Sequence, residues 1–402
     1  DLTNPDAPIP QFVNAMEMAG IEVTGEQVLE VLKDPENFQL KIDNNGKKYV
    51  DSVYMITQDG VRYSMGITYE EASGWKIINL KNTANRINFN IGSSIEGYSS
   101  VTGKASFYIQ EFNQALLDAD LEWFNTEPTR GQPIPQARRN KIDRAIEIAS
   151  QMGNTTIGSN LIFWGGYPDW LKNGKFSDEE LREIVKNRII TIISYLQGKV
   201  SVWIVLNSFH PARWGGIHDP LRDQLGDELI DIAFQTARDA DPSAILIYND
   251  TRNHSLNPNS ENGSVTANTM RIVNHLKQKG LIDGVGLQMH LDGNNPPTKQ
   301  EVIKAMRSYG LPIYVTEFDV DMTNVGGNKQ QKAAKQARIF QEMIEACLES
   351  GVCVSFTQFT PGDSDSWLGA AAEATAFDSN LNPKPAYYAL LAALINAART
   401  NK

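Results

Sequence analysis

Short apolar runs alternate with amphipathic stretches along the chain from residue 87 onwards. The apolar runs are INFNIGSSI, TTIGSNLIFW, VSVWIVLN, AILIYND, GVGLQMH, PIYVTEF and CVSFTQFT. The stretches between them include ARRNKIDRAIEIASQM, DELIDIAFQTARDA, VTANTMRIVNHLKQKG and NKQQKAAKQARIFQEMIEACLES. Strands that alternate with helices predict βα units and a parallel sheet. About eight such units in roughly 310 residues predict a (β/α)8 TIM barrel, an α/β fold.

An open, doubly wound sheet is the alternative architecture for such a pattern. That architecture is often marked by a phosphate-binding motif after a strand. We find neither G-x-G-x-x-G nor G-x-x-x-x-G-K-[ST] after any predicted strand. The barrel is therefore the favoured prediction.

The first 86 residues follow another pattern. A helical stretch, TGEQVLEVL, precedes two strand-like pieces, KKYVDSVYMI and VRYSMGITY, that are joined by a turn at TQDG, and SGWKIINLKN is a further candidate strand. We predict a small α+β segment over residues 1–86 and a barrel domain over residues 87–402. Two roles are open for the aromatic residues Tyr63, Tyr69 and Trp75: ordinary core packing, or a sugar-stacking face as in carbohydrate-binding modules.

Composition restricts the classes of partner. The chain of 402 residues has a net charge of −11 and no run of Lys or Arg, which argues against nucleic acid and anionic membranes as partners. No apolar stretch approaches the roughly 18 residues that span a bilayer. The first residues, DLTNPDAPIP, lack a signal-peptide pattern, and we expect them to be a mature or trimmed end.

Two cysteines, Cys347 and Cys353, lie in the stretch ACLESGVC. Their spacing allows a small disulfide loop across a helix-to-strand turn, and it equally allows two unpaired core thiols. Neither cysteine has the Cys/His spacing of a zinc site.

Polar residues stand at the ends of the predicted barrel strands, where barrel enzymes carry their sites. They are Asn207-Ser208, Asn249-Asp250, Gln288-Met289-His290, Thr316-Glu317 and the stretch TPGDSDSW. This mixture of carboxylate, amide, imidazole and indole groups lacks the ligand count of a metal site and the basic groups of a phosphate site. It suits a neutral polyol such as a sugar.

Glu317 is the strongest catalytic candidate because it follows the strand PIYV. A carboxylate there can attack an anomeric carbon and form a covalent glycosyl intermediate. The alternative role is a structural ion pair. His290, at the end of the preceding strand, is placed to orient that carboxylate.

Five motifs, in the right order over some 300 residues, resemble glycoside hydrolase family 10, the family of endo-β-1,4-xylanases. YVTEFDV resembles its nucleophile motif and implies Glu317, and GVGLQMHL implies Gln288 and His290 at the catalytic subsite. FNQALLDADLEWFNTEPTRGQ resembles the segment usually written TPENEMKW-x-x-x-EP-x-x-G, and FTQFTPGDSDSW resembles FTVWGVSDKDSW, with Trp367 as its second aromatic. ACLESGVC lies where many members carry a disulfide, so the resemblance implies a Cys347–Cys353 bond.

A further motif, WIVLNSFHP, resembles WDVVNEA, in which the Glu is the general acid/base. Asn207 matches the Asn that contacts the sugar 2-hydroxyl, and Ser208 occupies the Glu position. A serine hydroxyl donates a proton poorly at neutral pH. Two explanations remain open: Ser208 is an engineered replacement made to trap a substrate complex, or the protein is a natural divergent member.

Other departures show that the innermost subsite is naturally altered. The Lys of NEMKW is Glu122, the Glu-Asn pair before it is Asp118-Ala119, and the Trp of FTVWG is Phe359. The motif RGHTLVWH becomes IGSNLIFW, so its His, Trp and final His are Ser159, Phe163 and Trp164. A site built for one hydroxyl pattern rejects others. We therefore expect a sugar other than plain xylose, or a decorated one.

The resemblance implies a secreted or cell-surface, monomeric, retaining β-glycoside hydrolase acting on xylan or a related β-1,4-glycan, without metal or organic cofactor. Glu317 is its expected nucleophile and His290 orients it, while Ser208 impairs catalysis. The expected substrate-binding residues are Asn207, Gln288, Trp367, Trp164, Tyr167, Asp120, Glu122, Ser159 and Phe359. The alternative is a barrel that binds carbohydrate and has lost catalysis. An aldolase-like barrel is disfavoured, since no strand end that we identify carries a Schiff-base Lys.

Overall fold

The computed structural model describes residues 2–34, 38, 41–42, 46–50, 52–95, 98–153, 155–209, 219–257 and 261–400. Its helices are α1 Pro8–Met18, α2 Gly25–Leu32, α3 Leu80–Arg86, α4 Tyr98–Glu111, α5 Trp123–Thr126, α6 Gln136–Met152, α7 Asp169–Asn173, α8 Asp178–Leu196, α9 Pro220–Leu225, α10 Glu228–Ala240, α11 Glu261–Lys279, α12 Lys299–Ser308, α13 Lys329–Ser350 and α14 Pro385–Thr400. Its strands are β1 Lys41–Ile42, β2 Lys48–Val50, β3 Tyr54–Ile56, β4 Arg62–Ser64, β5 Ile67–Glu70, β6 Gly74–Ile77, β7 Asn90–Ile95, β8 Gln114–Leu117, β9 Thr155–Gly158, β10 Ile162–Phe163, β11 Val202–Asn207, β12 Ile245–Thr251, β13 Gly284–Asp292, β14 Ile313–Asp321 and β15 Cys353–Gln358.

Strands β7 to β15 form a closed parallel barrel. Apart from β9 and β10, which do not pair with each other, consecutive strands pair in chain order, and β15 pairs with β7, which closes the sheet. The third of the eight barrel positions is interrupted, because β9 and β10 both pair with β11 and are separated by residues 159–161. The predicted (β/α)8 TIM barrel is confirmed, and the apolar run TTIGSNLIFW forms two short strands.

The barrel strands are buried almost throughout, as expected for a parallel sheet that is covered outside by helices and filled inside by side chains. All six residues of β11 are buried. Ser177, Thr298 and Asn328 start α8, α12 and α13 with reciprocal side-chain caps, which satisfy free N–H groups of the first turn. Among the described helices, none is long and apolar enough to cross a bilayer.

A disulfide joins the end of α13 to the start of β15. Cys347 and Cys353 are bonded, with Cα atoms 5.1 Å apart. Gly351 between them has a φ of 72°, a left-handed conformation that favours glycine at a helix end. The disulfide implied by the family resemblance is confirmed, and the alternative of two unpaired thiols is wrong.

The N-terminal segment has the predicted α+β composition. Strands β1, β2, β5 and β6 form an antiparallel sheet, and β3 pairs with β4 as a separate hairpin. The predicted turn at TQDG is confirmed, since the N–H of Thr57 donates to the carbonyl of Val61 at 2.9 Å. The predicted strand KKYVDSVYMI is divided between β2 and β3.

This segment packs against α13 and α14, the last two helices of the barrel domain. The rings of Phe12 and Tyr388 meet edge to face at 5.1 Å, and the N–H of Arg62 donates to Gln341 Oε1 at 2.8 Å. Tyr63 is buried in the same continuous core. Residues 385–395 of α14 are all buried, because the N-terminal segment covers the face of this helix that the barrel leaves uncovered. The boundary near residue 86 stays a prediction.

Candidate active site

The polar strand ends meet at the carboxyl end of the barrel. In the register of the sheet, Asn207 lies opposite Asn249 and Gln288 lies opposite Glu317. All four side chains are buried. Neighbouring strands therefore bring together residues that lie about thirty to forty positions apart in sequence.

The carboxylate of Glu317 is held at both oxygens. Asn249 Nδ2 donates to Oε1 at 3.0 Å, and His290 Nε2 lies 3.1 Å from Oε2. The hydroxyl of Thr316 donates to Asn249 Oδ1 at 2.8 Å, so the amide of Asn249 presents its N–H groups to Glu317. These contacts fix the direction of the carboxylate.

Asp319 is the residue of this network that sequence reasoning missed. Its Oδ1 lies 2.9 Å from His290 Nδ1, on the far side of the ring from Glu317. Burial lowers the pKa of His290, but Asp319 and then Glu317 outweigh burial and raise that pKa to about 10. The imidazole is therefore a cation at neutral pH, with both ring nitrogens carrying hydrogens. The available signal was strand periodicity, since residues two apart on β14 share a face.

Two aromatic residues enclose His290. The ring of Trp367 lies 5.0 Å from the imidazole and that of Phe359 lies 5.2 Å from it, both edge-on. Trp367 Nε1 donates to Asp319 Oδ2 at 2.8 Å. Trp367 is nevertheless 59% exposed, so part of its ring is free to contact a ligand.

Asn207 collects three donors on one oxygen. Its Oδ1 accepts from Gln288 Nε2 at 2.7 Å, from Asn249 Nδ2 at 3.2 Å and from the Ser208 hydroxyl at 3.3 Å. Ser208 is buried, and its φ of 57° lies in the left-handed region. The N–H of Ser208 donates to the carbonyl of Asn249 at 2.9 Å, which holds the backbone at the place where the family motif has its acid.

Glu122 lies on the same rim, after β8. Its Oε1 accepts from Asn160 Nδ2 at 3.2 Å. Burial raises the pKa of Glu122 to about 7, and the negative charge of Glu317 adds to this rise. The carboxyl also rests against Gly166, where an added Cβ would lie 1.6 Å from Oε2. Asn160 and Gly166 were not predicted from the sequence.

The other predicted residues have different surroundings. Asp120 is paired with Arg138, and the Ser159 hydroxyl donates to Asp118 Oδ1 at 3.2 Å. Trp164 is half-buried, and its ring lies 5.5 Å from that of Phe163.

Tyr167 is 2% exposed, and its ring packs edge-on against Trp123 at 5.7 Å. Tyr167 is therefore packed inside the protein, and its role in substrate binding stays a prediction.

The sequence matches the family model for glycosyl hydrolase family 10 over residues 79–393. Endo-1,4-beta-xylanase B of Thermotoga neapolitana is 28% identical over 337 residues, which cover 79% of this chain and 92% of that protein.

Solved structures agree with the sequence relatives. Native xylanase 10B from Thermotoga maritima superposes with a TM-score of 0.73 at 26% identity, and the match covers 80% of this chain and 100% of that chain. Xylanase 10B from Thermotoga petrophila RKU-1, solved in complex with xylobiose, superposes with a TM-score of 0.72 at 26% identity and covers 80% of this chain and 99% of that chain. With the closed barrel and the polar strand ends described above, these matches show that the chain belongs to glycosyl hydrolase family 10.

Proposed function

We propose that the protein is a retaining β-glycoside hydrolase of xylan or a related β-1,4-glycan, with Glu317 as its nucleophile. The observation that carries this proposal is the buried Glu317 carboxylate held between Asn249 and the His290 cation. Retaining enzymes need such a fixed carboxylate to attack the anomeric carbon and form the glycosyl intermediate. The xylanase activity named for the relatives and the xylobiose bound by one of them support the substrate class.

The neighbouring amides would bind the sugar. Asn207 Oδ1 is occupied by three protein donors, so its Nδ2 is the group left to donate to a sugar hydroxyl. Trp367, with its exposed ring over His290, offers an apolar face to the pyranose. Hydrogen bonds to the sugar that strengthen in the transition state add several kcal/mol to catalysis in this class of enzyme.

Ser208 limits the first chemical step. Departure of a sugar alcohol requires a proton from a general acid, and a serine hydroxyl is a poor acid at neutral pH. The chain should therefore cleave polymeric xylan poorly. It should still release phenol from an aryl β-xyloside, because a nitrophenolate departs with little protonation.

The test compares xylan with 4-nitrophenyl β-xyloside, in the native chain and in Ser208→Glu. We expect Ser208→Glu to raise the hydrolysis of xylan by roughly 10²- to 10⁴-fold and that of the aryl substrate much less. In a crystal structure of this variant, the carboxyl groups of residues 208 and 317 should lie roughly 5–5.5 Å apart, the separation of retaining enzymes. Full activity on xylan without a carboxylate at this position would refute the assignment.

Ser208 itself favours a second candidate function, a carbohydrate-binding barrel without catalysis. In that case neither the native chain nor Ser208→Glu would release nitrophenol, while xylobiose would still bind with a calorimetric signal. A Glu317→Ala variant serves as the inactive control for the hydrolytic assays.

The proposed location is outside the cell or on its surface. Xylan is a polymer that cells degrade externally, and the Cys347–Cys353 disulfide is of the kind that persists in oxidising compartments.

A further inference from the structure

Trp367 stands in the long loop, residues 359–384, that connects β15 to α14. Its side chain is bonded at one atom, since Nε1 donates to Asp319 Oδ2 at 2.8 Å. A single hydrogen bond sets the distance of the ring from its partner but leaves the ring free to turn about that contact. The direction of the exposed face therefore depends on how the backbone of the loop is held.

The turn before Trp367 is anchored at its base by a buried ion pair. Lys384 Nζ donates to Asp363 Oδ2 at 3.0 Å, and the two side chains are 4% and 6% exposed. The other oxygen of Asp363 accepts from the N–H and the hydroxyl of Thr375, both at 3.0 Å. Lys384 also donates to the carbonyl of Glu373 at 2.7 Å. Asp363 is therefore fixed to the inner part of the loop.

A second ion pair holds the same turn from outside the loop. Lys104 of α4 places its Nζ 2.5 Å and 2.6 Å from the two oxygens of Asp365, which lies two residues before Trp367. The side chains of Lys104 and Asp365 are 22% and 18% exposed, so their charges are partly shielded from water and attract each other more strongly than at an open surface. Because β7, the strand before α4, is the neighbour of β15, this contact joins the first and last units of the barrel.

Within the described part of the chain, the side chain of Lys104 donates its hydrogen bonds to Asp365 alone. Lys104 can therefore act on the candidate active site only through the turn that carries Trp367. We propose that Lys104 is a positioning residue, whose ion pair with Asp365 directs the exposed face of Trp367 toward the bound sugar. This inference rests on the proposed function and deepens it.

The physical consequence of the ion pair is a ring that is already in place before the sugar binds. Without the charge of Lys104, the turn from Asp363 to Trp367 is held at its base and at the indole nitrogen, and the ring samples other directions. Binding must then restrict the loop and the ring, and this ordering lowers the affinity.

The test measures the affinity for xylobiose by calorimetry in the native chain, in Lys104→Met and in Asp365→Asn. Met removes the charge and has a helix propensity similar to that of Lys. We expect each variant to bind xylobiose roughly 3- to 10-fold more weakly, within the range for coupled groups of one network. Asp365→Asn preserves the size of the side chain, and it decides the question if Lys104→Met fails to fold.

Rescue by a conservative change separates the charge from the lysine stem. Lys104→Arg restores a cation that can bond both oxygens of Asp365, and its affinity for xylobiose should lie within about twofold of the native value. Lys186→Met removes an exposed ion pair with Glu183 on α8. It is the matched control and should leave the affinity unchanged.

A chain without the ring separates positioning from a general effect on the fold. In the Trp367→Ala background, Lys104→Met should cause no further loss of affinity, because no ring remains to be directed. The same cycle is measured as kcat/KM for 4-nitrophenyl β-xyloside, so that weak binding of xylobiose by Trp367→Ala does not prevent the comparison. Equal losses in the native and Trp367→Ala backgrounds would show a general structural role for Lys104 and would overturn the inference.

Three outcomes decide the inference. Weaker binding in Lys104→Met that is absent in the Trp367→Ala background supports it. Unchanged affinity in both Lys104→Met and Asp365→Asn overturns it and leaves the proposed function intact. Failure of the proposed function appears separately, as absence of xylobiose binding and of nitrophenol release by both the native chain and Ser208→Glu, and that result overturns the inference as well.

Discussion

Replacing Asp319 with Asn isolates the charge that keeps His290 protonated. The variant retains a carbonyl oxygen that can accept from Trp367 Nε1, which now bonds to Asp319 Oδ2 at 2.8 Å. The substitution therefore removes a negative charge 2.9 Å from the imidazole without removing the acceptor that anchors the tryptophan. The consequence should be a lower pKa of His290 and a weaker hold on Glu317.

The size of the effect follows from the pKa of His290. Although burial lowers it, Asp319 and Glu317 bring it from an ordinary 6.5 to about 10, which at 1.36 kcal/mol per pH unit corresponds to about 5 kcal/mol in favour of the charged ring. A raised pKa stabilises the folded protein fully below pH 6.5, and this contribution is lost as the pH rises toward 10. Because Asp319 is the larger of the two carboxylate contributions, Asp319→Asn should cost about 3 kcal/mol at neutral pH.

The assay is an NMR titration of the histidine side chains from pH 5 to 10.5, combined with thermal unfolding at pH 6 and 9. We expect the titration midpoint of His290 to fall by two or more pH units in Asp319→Asn, because a loss of about 3 kcal/mol corresponds to a fall in pKa of about two units. Asp321→Asn, two residues further along the same strand, is the control and should leave that midpoint unchanged. A native midpoint near 6.5, or an equal midpoint in Asp319→Asn, would refute the reasoning.

Three further predictions concern stability. Cys353→Ser should lower the free energy of unfolding by about 2 kcal/mol, the value for a short closed loop, as measured by urea denaturation; no change would contradict it. Residues 87–402 expressed alone should lack a cooperative thermal transition, because the covered face of α14 becomes exposed, and a folded product by circular dichroism would show the opposite. Because the pKa of Glu122 is raised from 4.5 to about 7, ionisation of this carboxyl destabilises the native chain as the pH rises through that range. The melting temperature of Glu122→Gln should therefore rise relative to that of the native chain between pH 4.5 and 7. An unchanged difference in melting temperature across this range would disprove the prediction.

The sequence was sufficient to predict the barrel because its strands are buried on both faces. Such strands appear as mainly apolar runs, and each of the predicted runs contains a barrel strand. The break between β9 and β10 was not predictable, since Ser159 and Asn160 within TTIGSNLIFW do not by themselves separate two strands. Whether polar residues interrupt a strand or point into a cleft depends on contacts that local sequence does not contain.

The candidate site was predictable at strand ends and less so in loops. Glu317 and His290 follow from the rule that barrel chemistry lies at the carboxyl ends of strands. Asp319 could have been found from strand periodicity, whereas Gly166 could not, because its role depends on the side chain of Glu122 more than forty residues away. The burial of Tyr167 likewise follows from how loops pack, which no motif specifies.

The burial of residues 385–395 of α14 has a consequence for homologous sequences. Residues 385–395 are covered by the barrel on one side and by the N-terminal segment on the other, whereas the Thermotoga maritima structure matches only 80% of this chain while being covered completely itself. A barrel without such a segment must present this helix to water and needs polar residues there. We therefore expect the segment and an apolar outer face of α14 to occur together. Homologous sequences should divide into two groups, with charged residues on this face wherever the segment is missing.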